Sequence, residues 1–434
     1  MTNYITRDES AMYYECGYSA DNAILLRLND EIKFITDARY SGEAREICLD
    51  SKSYENSNIC DDKIIESNPQ DCKNHNIIES NMQDSNLVDS KNIESKSSKD
   101  SKYHNIESKS HKSSNIHNKS ERQLQNSKHI EIIESGDLLK TAIEILTKHH
   151  IKALCYDPTR MNVSEFQALQ SSGINLESSP NFTQKMRIVK SENEIQILKE
   201  AQRLNLKAFA TFADFLNTSG VGKSEKFLHY KIADILGDCG QFPLSFEPIV
   251  GINGNAAKPH ALPSGDILQN GDSILLDCGL KYERYCADCT RSGAFICGKF
   301  AFSKEQDFTR LDSKILGENA RKMSQSEKQK IYDIVRKAQE FAITNLRAGM
   351  SGKEIDALAR SVIEEAGFGA YFVHSTGHGI GLDIHEMPFI SRRSESIIED
   401  GMVFSIEPGI YIEGVFGIRI EDLVVVKNGR AEIL

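Results

Sequence analysis

Between Ser51 and Ile130 the chain changes character, and that change decides how the rest can fold. These eighty residues hold no glycine and two aromatics, Tyr54 and Tyr103, and about a fifth of them are serine. A stretch so rich in Ser, Lys, Asn and Asp cannot bury enough apolar surface to offset the entropy lost on ordering, so it is expected to be disordered. The fragment Ile-Glu-Ser recurs at Ile65, Ile78, Ile93, Ile106 and Ile133. Units this short have no hydrophobic face to stack, and tandem expansion explains them better than a repeat fold. The tract carries 12 Lys plus Arg and 12 Asp plus Glu, so the net charge of −11 belongs to the flanking sequence. Five of the twelve histidines lie in the tract. Their irregular spacing suits solvated loop residues better than a metal site.

With 434 residues the chain has room for two domains of ~150 to 250 residues each. Its acidic balance argues against a nucleic-acid or anionic-membrane partner, which Lys and Arg would have to grip. No apolar run approaches the ~18 residues of a membrane span. Ten cysteines in so long a chain are too sparse for a disulfide scaffold, and reduced thiols in a cytoplasm are expected.

Ala23 to Leu28 and Glu31 to Thr36 read as two strands joined at Asn29-Asp30, a hairpin signal. Asp137 caps a helix with apolar positions Leu138, Leu139, Ala142, Ile143 and Leu146, and Ser164 with Gln167 reads as a capping box for another. Residues 1–180 thus form a smaller α/β domain interrupted by the 51–130 insert. A second capping box, Ser191 with Glu194, opens a long amphipathic helix at the head of a domain covering 181–434. There, strands are expected at 246–250, 273–277, 285–291, 403–406 and 418–426, with a helix pair at 328–346 and 351–366. Residues 300–327 read as a surface loop. Irregular alternation of helices and hairpins favours an α+β fold over a doubly wound sheet.

The chemistry is concentrated in this second part. Asp277 lies in the apolar stretch Leu275-Leu276-Asp277, and Asp288 follows eleven residues later. If the intervening segment turns at Tyr282-Glu283, the two aspartates stand opposite each other on one face, and only a cation between them reverses the repulsion. Two solvent-facing aspartates on an exposed hairpin would be the plainer explanation of this segment alone. His374, His378 and His385 fall within twelve residues, although only seven histidines lie outside the insert. Glu407 and Glu421 interrupt apolar stretches, and Arg419 shares a strand face with Glu421. Together Asp277, Asp288, His378, Glu407 and Glu421 offer four carboxylates and an imidazole, which two divalent ions ~3.5 to 4 Å apart would neutralise. Ligand hardness points to Mn²⁺, with Co²⁺ and Zn²⁺ the other candidates. Cys286 and Cys289 form a Cys-x-x-Cys, but residues three apart on a strand point to opposite faces, so they read as ordinary strand cysteines.

The order and spacing of these segments resemble the pita-bread metallopeptidases, and among them the Xaa-Pro peptidases, aminopeptidase P and prolidase. The resemblance matches all five ligand positions in order and extends more weakly to a creatinase-type N-terminal domain. It implies a dinuclear site with the five residues above as ligands, and auxiliary roles for His260, His374, His385 and Arg419. Attack on the scissile carbonyl by a hydroxide shared between the ions is implied, with Glu407 managing its proton. The implied substrate is a peptide with proline second, cut by a homodimer. The first expectation is an Xaa-Pro aminopeptidase, and the alternative an Xaa-Pro dipeptidase. Methionine aminopeptidase fits less well, lacking need for such an N-terminal domain, and a metal-free pita-bread binding module is the reading from another class. The 51–130 insert departs from the family pattern.

Overall fold

The computed structural model describes residues 2–50, 129–310 and 322–434. The expected disorder of the Ser51–Ile130 tract falls, as far as Lys128, outside the described residues. Its last two residues, His129 and Ile130, instead begin a strand.

Six strands of the N-terminal part build a mixed sheet: β1 (Tyr4–Thr6), β2 (Ala23–Leu28), β3 (Glu31–Thr36), β4 (His129–Glu134), β5 (Ala153–Tyr156) and β6 (Asn175–Ser178). Their order is β4-β3-β2-β1-β5-β6. β2 and β3 form the expected hairpin, with Asn29 at φ 55°, a left-handed conformation that asparagine tolerates. β4 runs parallel to β3 from Glu31↔His129 to Thr36↔Glu134 and forms one edge of the sheet. The sequence of β4, His-Ile-Glu-Ile-Ile-Glu, merges with the polar tract before it, which is why composition alone ran the insert two residues too far. The helix Leu138–Lys148 starts at Asp137 and buries Leu138, Ala142 and Leu146, as its period predicts. The helix Val163–Ser171 corrects an expectation. Its capping box is Asn162 with Glu165, because the Asn162 side chain accepts the Glu165 N–H at 2.9 Å and Ser164 already lies inside the helix.

Beyond residue 190 the long helix Glu192–Phe215 begins at the expected Ser191–Glu194 capping box and buries Ile195, Leu198, Phe209 and Phe212. Three antiparallel strands, β7 (Ile249–Ile252), β8 (Ser273–Cys278) and β11 (Cys289–Ala294), pair in the order β11-β8-β7, and β9 (Lys281–Tyr282) with β10 (Tyr285–Cys286) makes a small hairpin between them. A five-stranded sheet follows: β12 (Gly377–Gly379), β13 (Glu386–Ile390), β14 (Val403–Ile406), β17 (Asp422–Lys427) and β18 (Arg430–Ile433), in the order β13-β12-β14-β17-β18. The hairpin of β15 (Gly409–Ile412) and β16 (Phe416–Arg419) lies in sequence between β14 and β17. Helices Gln325–Asn345 and Gly352–Glu365 cover this sheet through an apolar core including Val335, Ile355, Phe404 and Val424. The fold is α+β, as expected.

Two further expectations change. The hairpin between the aspartates turns at Glu283 and Arg284, both at positive φ, and Asp277 stands opposite Thr290 rather than Asp288. Asp288 sits in the break between β10 and β11, two residues before Thr290. It therefore keeps the side of the sheet assigned to it but loses direct opposition. The loop expected over 300–327 is partly built into the core: Phe300 and Phe308 are buried, and Phe300 stacks edge-on to Phe302 at 4.7 Å. No described helix is long and apolar enough to cross a membrane.

Candidate metal centre

Each candidate ligand sits at or just beyond the end of a strand where the two C-terminal sheets meet. Asp277 is on β8, Asp288 precedes β11, His378 is on β12, Glu407 follows β14 and Glu421 joins β16 to β17. Backbone and side-chain bonds stitch the seam. The Glu421 N–H donates to the Thr290 carbonyl at 3.1 Å, and the Ser292 hydroxyl donates to the Arg419 carbonyl at 3.0 Å. The long helix fixes the backbone on the other side. Gln202 donates to the Asp288 carbonyl at 3.0 Å and Asn205 to the Cys278 carbonyl at 3.0 Å, each amide fully buried. The sequence reading missed both amides, and the signal that could have found them is their spacing of three within an apolar helix face. Gly377 admits the close contact of β12 with β14: a Cβ there would lie 1.8 Å from the Ser405 carbonyl oxygen.

Ligand atoms of Asp288, His378 and Glu421 all lie within 4.8 Å of one another. His378 Nε2 is 3.6 Å from Asp288 Oδ2 and 3.4 Å from Glu407 Oε1. First-row ions sit about 2.0–2.2 Å from N and O donors, which separates neighbouring donors by roughly 3–3.5 Å. The gap to Glu407 falls within that spacing and the gap to Asp288 just above it. His378 Nδ1 donates to the Gly379 carbonyl at 3.1 Å, which leaves the Nε2 lone pair facing the carboxylates, the usual state of a ligating imidazole. Burial lowers the His378 pKa to about 3, so the ring is neutral. Glu421 Oε2 accepts from the Thr290 hydroxyl at 2.7 Å and Glu407 Oε1 from Ser405 at 3.2 Å. Asp277 stands apart from the tightest group, with Oδ2 paired to Arg419.

The residues fit divalent ions on a specific count. Among the described residues, Asp277 Oδ1, Asp288 Oδ1 and Glu421 Oε1 are buried without any hydrogen-bond partner. An orphaned carboxylate oxygen costs a large desolvation penalty unless a cation meets it. Consistently, burial and then the neighbouring carboxylates raise the pKa of Asp288 and Glu421 well above the usual range, and burial raises Glu407 to about 7.

All nine residues singled out in the sequence line one cavity of about 560 Å³. His385 packs edge-on against His378 with ring centres 4.2 Å apart. His260 is exposed on the same cavity wall. Both His374 nitrogens are engaged, Nδ1 with the Ser375 carbonyl at 2.7 Å and Nε2 with the Tyr411 hydroxyl at 2.8 Å. Arg419 is fully committed as well. Its guanidinium donates to Thr290 Oγ1 at 2.9 Å, to the Tyr411 hydroxyl at 2.9 Å, to the Pro259 carbonyl at 3.1 Å and to Asp277. Thr290 and Tyr411 are therefore site residues that the sequence reading missed. Tyr411 lies four residues after Glu407 on β15, and a Cβ at Gly409, which pairs with Arg419, would meet its hydroxyl at 2.5 Å.

Fold and site together define a metal-dependent hydrolase. Residues 196–428 match the model of metallopeptidase family M24, and the chain belongs to that family. It is 33% identical over 310 residues to the uncharacterized peptidase YqhT of Bacillus subtilis, covering 70% of this chain and 80% of that one. It is 35% identical over 250 residues to the Xaa-Pro dipeptidase of Pyrococcus horikoshii, covering 57% of this chain and 63% of the relative. Among solved structures, the X-Pro aminopeptidase from Thermotoga maritima superposes with a TM-score of 0.69 at 25% identity, covering 100% of this chain and 93% of that chain. An Xaa-Pro dipeptidase from Bacillus anthracis superposes with a TM-score of 0.70 at 24% identity, over 99% of this chain and 92% of that one. The protein is a peptidase, and its family implies divalent metal ions and peptide substrates.

Proposed function

We propose that this chain is an Xaa-Pro dipeptidase, which reverses the order of the two readings drawn from the sequence. The observation that carries it is the 35% identity over 250 residues to a relative named as an Xaa-Pro dipeptidase. The whole-chain likeness to the Thermotoga maritima enzyme keeps the Xaa-Pro aminopeptidase as the second reading. Asp277, Asp288, His378, Glu407 and Glu421 are assigned as ligands of two divalent ions, most naturally Mn²⁺, in a catalytic domain beginning near residue 181. When bound, the ions supply Lewis acidity that lowers the pKa of water and polarises the scissile carbonyl. Glu407 has Oε1 held by Ser405 and uses Oε2 to take and return the proton of the attacking water. His385 and His260 face the cavity and bind the carbonyl oxygen as charge develops on it. His374 acts through the Tyr411 hydroxyl, and Arg419 holds Tyr411 and Asp277 in place. The apolar wall around Ala261, Leu262 and Pro263 suits a pyrrolidine ring. A bond to proline is a tertiary amide with no N–H, so shape has to do what a hydrogen bond does elsewhere. The sparse cysteines support a cytoplasmic enzyme, and the resemblance described above supports a homodimer.

The test compares turnover of an Xaa-Pro dipeptide with that of an Xaa-Pro-Xaa tripeptide. The dipeptide should be preferred by at least about tenfold in kcat/KM, a difference of ~1.4 kcal/mol in transition-state binding. A preference of that size for the tripeptide would establish the aminopeptidase reading instead.

A further inference from the structure

His385 has a neighbour-dependent position. Among the described residues its imidazole makes no hydrogen bond, and its ring contact is with His378. A side chain exposed to the cavity and held by no bond of its own takes its place from the backbone that carries it. That backbone is held at both flanks by buried charge. On one side Glu386 is fully buried, with Lys190 Nζ at 2.5 Å from Oε1 and Arg187 Nε at 3.1 Å from Oε2. On the other, Asp383 pairs with the buried Arg187 through Oδ2 and accepts the Ser10 hydroxyl on Oδ1 at 2.5 Å, while Arg160 lies 3.7 Å away. The turn is closed internally, since Gly381 N–H donates to the Asp383 carbonyl at 3.2 Å.

The two anchors differ. Glu386 is bound by residues of the segment between helices Phe182–Met186 and Glu192–Phe215, whereas Asp383 also takes bonds from the N-terminal part of the chain. Ser10 belongs to the helix Glu9–Cys16, which Asp8 caps, and Arg160 precedes the helix Val163–Ser171. Asp8 joins the same group, with Oδ2 3.7 Å from Arg160. A carboxylate shared by groups from distant parts of the sequence, two residues from an otherwise unbonded histidine, transmits their arrangement to that ring.

We propose that Asp383, clamped by Arg187 and by Ser10 of the N-terminal part, is a positioning residue that aims His385 at the reacting carbonyl. The inference rests on the role assigned to His385 above. It gives the N-terminal sheet and its helices a part in turnover: they brace the loop that carries a transition-state group. Asp383 itself does not touch substrate.

The test is a double-mutant cycle on the full-length, metal-loaded enzyme, with metal content and melting temperature recorded for each variant. Asp383→Ala should lower kcat by about ten- to a hundredfold, as small misplacements of a catalytic group do, with KM changed less than about threefold and metal content unchanged. In a His385→Ala background the same change should cost less than about twofold, because its effect passes through the missing ring. Ser10→Ala should shift kcat the same way by a smaller factor, and Asp383→Asn, whose side-chain oxygen can still accept from Arg187 while its Nδ2 donates to the Ser10 hydroxyl, should recover most of the loss. These two variants carry the test if Asp383→Ala folds poorly. Wild-type kcat in Ser10→Ala together with an unrecovered loss in Asp383→Asn would overturn the proposal, as would losses that multiply in the double mutant. If His385→Ala turned over at the wild-type rate, the assignment of His385 would fall and this inference with it. An impaired His385→Ala beside unimpaired Asp383 variants would overturn the inference alone.

Discussion

Asp288→Asn and Glu421→Gln should each lower turnover by at least about 10²–10³-fold, the loss that follows removal of a single preorganised charge-stabilising group. Both changes keep shape and remove one formal charge from a cavity wall on which Asp277, Asp288, Glu407 and Glu421 stand beside a neutral His378. The two exchanges should move stability in opposite directions depending on metal. Without ions, the wild-type site buries carboxylates beside one another with three oxygens unsatisfied, so removing one charge should raise the melting temperature of the chelator-treated protein. With ions, the variants should bind less metal and gain less stability from it. Elemental analysis beside turnover and thermal melting separates these effects. A variant that keeps its full metal complement and at least a tenth of wild-type turnover would count against the ligand assignment.

His385→Ala should lower kcat by roughly 10²-fold while leaving metal content near wild type. The ring stands 4.2 Å from that of His378, lines the cavity and bonds to nothing else among the described residues, so its loss leaves the ligand set intact. His378→Ala is the control, because its Nε2 faces Asp288 and Glu407 and its removal should cost metal as well as rate. If His385→Ala lost metal as severely as His378→Ala, the division between ligand and transition-state group would be wrong. If it folded less stably but turned over normally per folded molecule, the residue would be a packing element.

The candidate ligands were legible because burial of carboxylates is expensive and leaves a trace. Asp277, Glu407 and Glu421 each interrupt a run of strand-forming apolar residues, and that pattern is visible without a structure. What was not legible is long-range pairing. The register that sets Asp277 against Thr290 depends on a break at Ala287-Asp288 that alternation does not signal. β4 escaped notice because an edge strand with one polar face resembles the polar tract it ends. The capping box of the helix Val163–Ser171 was displaced by two residues because Asn, Ser and acidic or amide partners recur in that segment at competing spacings. Gln202, Asn205 and Tyr411 carry no motif, and only the folded chain shows that they hold the backbone of Asp288, the backbone of Cys278 and the Arg419 guanidinium. The same holds for Asp383, whose partners Ser10 and Arg187 lie 373 and 196 residues away in sequence.

The ligand assignment makes Asp277, Asp288, His378, Glu407 and Glu421 a site for two divalent ions on which turnover depends. Its most direct test is to strip the full-length protein with a chelator, verify the metal-free state by elemental analysis, and titrate Mn²⁺ back while following hydrolysis of an Xaa-Pro dipeptide. Activity should be absent at the start, rise with added metal and reach its plateau at two ions per chain. Undiminished turnover by the verified metal-free protein, or a plateau at one ion with no further gain or binding, would contradict it.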